Sequence, residues 1–306
     1  MKALITGATG FAGQHLARHL RDVGDQVWGT YTTASPSEAA SVEIPYHAWD
    51  ISRPAPDSLV ETLRQYQPDV IYHLAAMSHP GSCGNDLPTE SCQAVNILGT
   101  RHVADLALAL PAPPKVLFVS SSKVYGPGSA EHLFVKEADP PQPIGGYAHS
   151  KWAAENVLHD RAAQGLPVIV ARAFNHTGPG QSPIYLVPEW CQRIAAGEDP
   201  CRVRSLTTSL DLSDVRDVVR IYRLLVEKGQ PGQTYNVGRG EPVTTGEIWN
   251  LLCEIIGRRP EVVAEKPEPV QQPIADLAKL EAAIGAVDWI PLRRTLEEVF
   301  AAAGRE

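Results

Sequence analysis

The chain has 306 residues, 43% apolar and 20% charged, the profile of a soluble globule long enough for one large domain or two modest ones. A net charge of −8 argues against a general nucleic-acid surface, and no apolar run reaches the ~18 residues that a membrane span needs. Five widely spaced cysteines without a Cys-x-x-Cys pair read as reduced thiols and not as a disulfide frame or a metal site; with no signal-peptide core after Met1-Lys2, a cytoplasmic location is expected.

Residues 2–6 are a short apolar, β-prone run, and 11–23 place Phe11, Leu16, Leu20 and Val23 at helical spacing. Strands are expected at 26–31 and 44–49, a helix at 58–66, and a strand at 70–74. One long helix is expected over 89–110, stopped by the proline-rich 111–114 because proline cannot continue the backbone ladder. A strand at 116–120, a helix at 147–164 and a strand at 167–172 continue the alternation. Such alternation implies an α/β fold, a parallel sheet covered on both faces and doubly wound by right-handed crossovers. After Arg172 the rhythm changes. Helical stretches at 188–196, 245–256 and 295–303 are separated by irregular segments, which reads as a smaller α+β lobe for substrate, with Trp190 and Trp249 in its core. The stretch 213–238 is expected to return to the main sheet.

Between the first strand and the first helix lies Thr6-Gly7-Ala8-Thr9-Gly10-Phe11-Ala12-Gly13. Gly7 can turn tightly, Gly10 lets backbone approach a pyrophosphate, and Gly13 allows close packing of the helix, whose free N–H groups favour phosphate. In that context the loop points to a dinucleotide; the competing reading is a tight turn without a ligand. The expected dinucleotide-binding domain is therefore 1–173 plus 213–238, with 174–212 plus 239–306 as the lobe. The end of the second strand, Gly29-Thr30-Tyr31-Thr32-Thr33, has neither the acid that favours NAD nor the arginine that favours NADP, so both remain open. Asp50 is either a contact to the adenine amine or a turn aspartate.

Ser120, Ser121 and Ser122 end an apolar strand, and Tyr147 and Lys151 stand four residues apart on a helix, hence on one face. An ammonium near the phenol, together with an oxidised nicotinamide, would lower its pKa from ~10 and let it exchange a proton with a substrate oxygen. Ser121 can hold the same oxygen. Taken with the glycine loop, the order of these segments describes a nicotinamide enzyme.

His73-Leu74-Ala75-Ala76, Ser120 to Gly126, Tyr147-x-x-x-Lys151, Asn175-x-x-Gly178-Pro179-x-Gln181, Asp214 to Val219 and Tyr235-Asn236-Val237-Gly238 follow the glycine loop in one order. The chain resembles the extended short-chain dehydrogenases/reductases that act on nucleotide sugars, with a Rossmann domain. Residues 173–183 are most similar to the GDP-mannose branch, which holds 4,6-dehydratases and GDP-4-keto-6-deoxy-D-mannose reductases. The resemblance implies catalysis by Ser121, Tyr147 and Lys151. It implies cofactor contacts from Gly7, Thr9, Gly10, Phe11, Ala12, Gly13, Asp50, Ile51, Leu74, Ala75, Ala76, Ser120, Tyr147, Lys151 and Phe174. Substrate contacts are implied for Ser78, Ser122, Lys123, Asn175 and Val187. His176 is either a ligand contact or a packed side chain.

Two departures matter. Similar dehydratases carry a glutamate two residues after the catalytic hydroxyl, where this chain has Lys123, which disfavours dehydration and suits reduction or 4-epimerisation. Where the family has an arginine near the diphosphate, this chain has Leu210, so either Arg193 or Arg204 takes that role or the nucleotide grip is altered. The resemblance thus implies NAD(P)H-dependent reduction of a GDP-linked 4-keto sugar. An NAD-dependent nucleotide-sugar 4-epimerase or 4,6-dehydratase is the first alternative, and a non-catalytic cofactor sensor the second. It also implies a homodimer through the helices beginning at Thr89 and Tyr147.

Overall fold

The computed structural model describes residues 1–32, 42–128, 132–266, 268 and 271–303. Seven strands, β1 (Lys2–Thr6), β2 (Gln26–Tyr31), β3 (Tyr46–Ala48), β4 (Val70–His73), β5 (Lys115–Ser121), β6 (Val168–Ala173) and β7 (Thr234–Val237), lie in the order β7-β6-β5-β4-β1-β2-β3. Every pairing is parallel. Successive residues of a strand face opposite sides. Ile5, Tyr72 and Leu117 accordingly join the core under α1 (Phe11–Asp22) and α6 (Val215–Lys228), with Leu16, Leu20, Val218 and Leu225. Their neighbours Leu4, Ile71 and Phe118 join the opposite core under α2 (Asp57–Tyr66), α3 (Gly99–Leu108) and α4 (Gly146–Ala162), with Leu59, Leu63, Val103 and Leu158. The sheet is therefore doubly wound. Its order reverses between β1 and β4, which opens a crevice at the carboxyl ends of the strands.

A separate core holds the lobe. There α5 (Leu186–Ala196), α7 (Thr245–Ile256) and α8 (Leu292–Ala303) pack together, with Trp190 edge-on to Trp249 at 5.4 Å between ring centroids. Thr244 starts α7 with a capping box, its hydroxyl accepting from the Glu247 N–H. The strand Ser209–Asp214 pairs with Asn175–Thr177 in parallel and with Pro242–Thr244 in antiparallel register, and so ties the lobe to the carboxyl end of β6.

The structure differs from the sequence expectation in three places. The helix expected over 89–110 is interrupted by a wide turn at Gln93–Leu98, between Glu90–Cys92 and α3. Buried Asn96 sits in that turn: its side chain accepts from Met77 N at 2.8 Å and donates to Met77 O and Ser150 Oγ, tertiary bonds that the local pattern does not contain. The third strand is shortened to Tyr46–Ala48, because Pro45 has no N–H for the ladder. The segment Ala278–Ile284, expected in the lobe, instead places Leu280 and Ile284 in the core under α1 and α6. Thr33 lies outside the described residues. No helix among the described residues is long and apolar enough to cross a membrane.

Candidate active site

The crevice is a cleft of about 620 Å³ along the carboxyl edge of the sheet. Its first wall is the glycine loop. Gly7 has φ of 72°, and a Cβ there would stand 2.9 Å from the Ala75 backbone, so only glycine fits. A Cβ on Gly13 would stand 2.2 Å from Gly7 O, so α1 starts in direct contact with the turn. No side chain caps α1, which leaves its first N–H groups open to the cleft. His73 fastens the loop from below. Thr100 donates its hydroxyl to Asn96 O, so His73 Nε2 donates to Thr100 Oγ1 at 3.0 Å and Nδ1 accepts from Thr6 Oγ1 at 2.8 Å. Burial lowers this histidine to about 3, which keeps it neutral in that arrangement. Thr6 Oγ1 in turn accepts from Ala75 N.

Thr9, Gly10, Phe11, Ala12, Leu74, Ala75, Ala76, Asp50 and Ile51 all line the cleft. Tyr31 and Thr32 line it at the end of β2, where no charged side chain does among the described residues. Thr30 also lines this wall, with its Oγ1 buried and without a hydrogen-bond partner among the described residues. An uncapped helix start, a cradle closed to any Cβ and an orphaned hydroxyl are what a dinucleotide's phosphates and ribose require, so these residues fit that cofactor.

Ser120, Ser121, Ser122, Lys123, Tyr147, Lys151, Phe174 and Asn175 form the opposite end, with Ser78. Ser121 closes β5, and its hydroxyl accepts from Lys123 N at 3.2 Å, which starts a single 3-10 turn. Tyr147 stands in the first turn of α4, with Lys151 one turn on. Lys151 Nζ donates to Val119 O at 2.8 Å and lies 4.9 Å from the centre of the Phe118 ring. Burial pushes this ammonium down to about 8. The acidic phenol expected above belongs to the enzyme with an oxidised nicotinamide bound; in the protein alone the balance lies the other way. Burial dominates and pushes Tyr147 up to about 12; the opposing influence is the Ser121 hydroxyl, while Lys151 is engaged with the β5 carbonyl. Without cofactor, Tyr147 is a protonated donor throughout the neutral range.

Beneath these residues Arg172 holds Glu155 with two hydrogen bonds, at 3.1 and 2.8 Å, and Ser120 donates to the same carboxylate. Both charges are buried. Arg172→Met leaves the Glu155 carboxylate buried and unpaired below the serine cluster, and is expected to cost about 3–5 kcal/mol of stability, read by urea unfolding.

Three expected substrate residues lie elsewhere. Val187 is buried in the lobe core. Arg193 is bound by Glu198 at 2.5 and 2.8 Å and by Glu189 at 3.1 Å, so its charge is already met. Arg204 is exposed outside the cleft wall, and Leu210 lies buried in the lobe core. Conversely, Tyr185 and Tyr222 line the cleft without having been singled out, and Gln181, quoted only as part of a motif, lines it too. Tyr222 sits in an amphipathic helix where its spacing signals only core. His176 lines the cleft too, stacked on Phe11 at 6.2 Å with an interplanar angle of 7°.

The profile of the NAD dependent epimerase/dehydratase family matches residues 3–238. The chain is 31% identical over 270 residues to the GDP-6-deoxy-D-mannose reductase of Pseudomonas aeruginosa, covering 86% of this chain and 83% of that one. It is 29% identical over 311 residues to the GDP-6-deoxy-D-talose 4-dehydrogenase of Aggregatibacter actinomycetemcomitans, covering 98% and 97%. The UDP-glucose 4-epimerase of Thermotoga maritima, solved with UDP-glucose, superposes with a TM-score of 0.89 at 25% identity, covering 100% of this chain and 99% of that one. By its glycine loop, its doubly wound sheet and these likenesses, the chain belongs to the NAD dependent epimerase/dehydratase family and is an NAD(P)-dependent extended short-chain dehydrogenase/reductase acting on nucleotide sugars.

Proposed function

We propose that this enzyme reduces the C4 keto group of a GDP-linked 4-keto-6-deoxyhexose, GDP-4-keto-6-deoxy-D-mannose, with NADPH or NADH. The observation that carries the reading is the Tyr147 phenol on the cleft wall together with Ser121. Reduction of a ketone needs a proton donor at the carbonyl oxygen, and this group is one at neutral pH. A reduced nicotinamide bound along the glycine loop would supply the hydride. Tyr147 donates its proton to O4, Ser121 orients that oxygen, and Lys151 would hold the nicotinamide ribose.

Dehydration is disfavoured by the charge pattern. Elimination across C5 and C6 calls for a carboxylate near the reacting ring, and among the described residues lining the cleft the one carboxylate is Asp50. It follows edge strand β3, four strand positions from β5 and thus roughly 19 Å away at ~4.8 Å per strand. The GDP assignment is supported by the two curated relatives, both named for GDP-6-deoxy sugars. A 4-epimerase that recycles a tightly held NAD is the second reading, favoured by the full-length likeness to a UDP-glucose 4-epimerase. Loss of nicotinamide absorbance from NADPH or NADH after adding the 4-keto sugar nucleotide is the expected result. A protein that carries NAD through purification and consumes no reduced cofactor would instead be the epimerase.

A further inference from the structure

Lys123 stands on the turn directly after Ser121 and lines the same end of the cleft as Ser121, Tyr147 and Asn175. Its Nζ donates to Gln272 Oε1 at 2.6 Å, and that oxygen also accepts from Asn175 Nδ2 at 3.3 Å. An ammonium has three donors, so two remain for the cleft. No carboxylate pairs with it among the described residues, and its pKa is lowered by burial with no neighbouring charge to offset that. A desolvated cation without a counter-charge is unfavourable until an anion arrives. No arginine lines the cleft among the described residues, and the other cation that does, Lys151, is bonded to Val119 O and is assigned to the nicotinamide ribose in the proposed reaction.

We propose that Lys123, held in place by Gln272, determines specificity by taking an anionic oxygen of the substrate at the reacting end of the cleft. The inference rests on the cleft being the nucleotide-sugar site and not on the direction of the reaction there. Two groups of a nucleotide sugar carry such an oxygen: the diphosphate bridge, and a carboxylate at C6 of a nucleotide-linked hexuronate. In either case Lys123 supplies charge that no arginine of the cleft wall supplies.

Calorimetric titration separates these sources without turnover. The probes are two pairs that differ at C6, GDP-mannose with GDP-mannuronate and UDP-glucose with UDP-glucuronate, read with whichever base the full-length enzyme binds more tightly. Lys123→Gln removes the charge and keeps a hydrogen-bonding group, while Lys123→Arg keeps the charge. If the diphosphate is the partner, Lys123→Gln weakens both members of the pair alike, by roughly ten- to a hundredfold, and Lys123→Arg restores most of the affinity. If the carboxylate is the partner, the loss is confined to the hexuronate. Unchanged affinity of Lys123→Gln for both members, or no binding of either pair by the unaltered enzyme, would overturn the assignment. Failure of the reductase reading would show separately, as absence of turnover with binding intact.

Discussion

Replacing Tyr147 with phenylalanine lowers turnover by roughly 10²–10⁴-fold and leaves dinucleotide affinity within about twofold. The substitution removes one hydroxyl and keeps the ring that fills this part of the cleft, so packing is nearly unchanged. What disappears is the proton donor: a phenol held protonated by burial, with its pKa pushed up to about 12, and placed beside Ser121. The pH profile of kcat/KM carries a second signature. Lys151 is held at about 8 by desolvation, so its ammonium is lost as the pH rises through that value, well before Tyr147 gives up its proton. The alkaline limb of the unaltered enzyme is therefore expected near pH 8 and belongs to Lys151. Because the limb does not come from the phenol, Tyr147→Phe lowers the whole profile and leaves its alkaline limb in place. Undiminished turnover in that variant would remove Tyr147 from the chemistry.

Gly13→Ala is expected to weaken dinucleotide binding by roughly ten- to a hundredfold, the equivalent of about 1–3 kcal/mol of overpacking. The added methyl would stand 2.2 Å from Gly7 O and 2.9 Å from Ala8 Cα. Both are backbone atoms, and neither can turn aside as a side-chain tip would. The clash is relieved by lifting the start of α1 away from the turn, which carries the free N–H groups out of reach of a pyrophosphate. Gly10→Ala makes a useful comparison, since its methyl meets Gly7 O at 3.2 Å and strains the fold less. Titration of NADPH and NADH by quenching of protein fluorescence reads both variants. Wild-type affinity in Gly13→Ala would mean that the loop does not hold the phosphates.

How far the sequence could be read depends on how local the deciding interactions are. The sheet was legible because its strands are short apolar runs alternating with helices: Leu4 and Ile5, Ile71 and Tyr72, Leu117 and Phe118 point to opposite cores by backbone geometry alone, so both faces of each strand are apolar. The glycine loop was legible because its spacing and its place between β1 and α1 are contiguous. The wide turn at Gln93–Leu98 was not, since Asn96 is bonded to Met77 and Ser150, partners that only the fold brings near. Gln272 was invisible for the same reason. It reaches Lys123 across 149 positions of sequence. Arg193 looked available for a diphosphate until Glu198 and Glu189 were seen on either side of it. The least legible quantity was the state of Tyr147. Four-residue spacing on a helix puts Lys151 on the same face, but it does not weigh the amine against the cost of burying a phenolate. That balance depends on where the ammonium points, and it points to Val119 O.

Hydride delivery to C4 of a sugar nucleotide with proton donation from Tyr147 is tested most directly by isotopic labelling. Turnover of GDP-4-keto-6-deoxy-D-mannose with nicotinamide cofactor deuterated at its reducing carbon, followed by NMR of the product, should place one deuterium at C4 of the sugar. Product without deuterium at C4, or a sugar nucleotide left unreduced while the labelled cofactor stays intact, would contradict it.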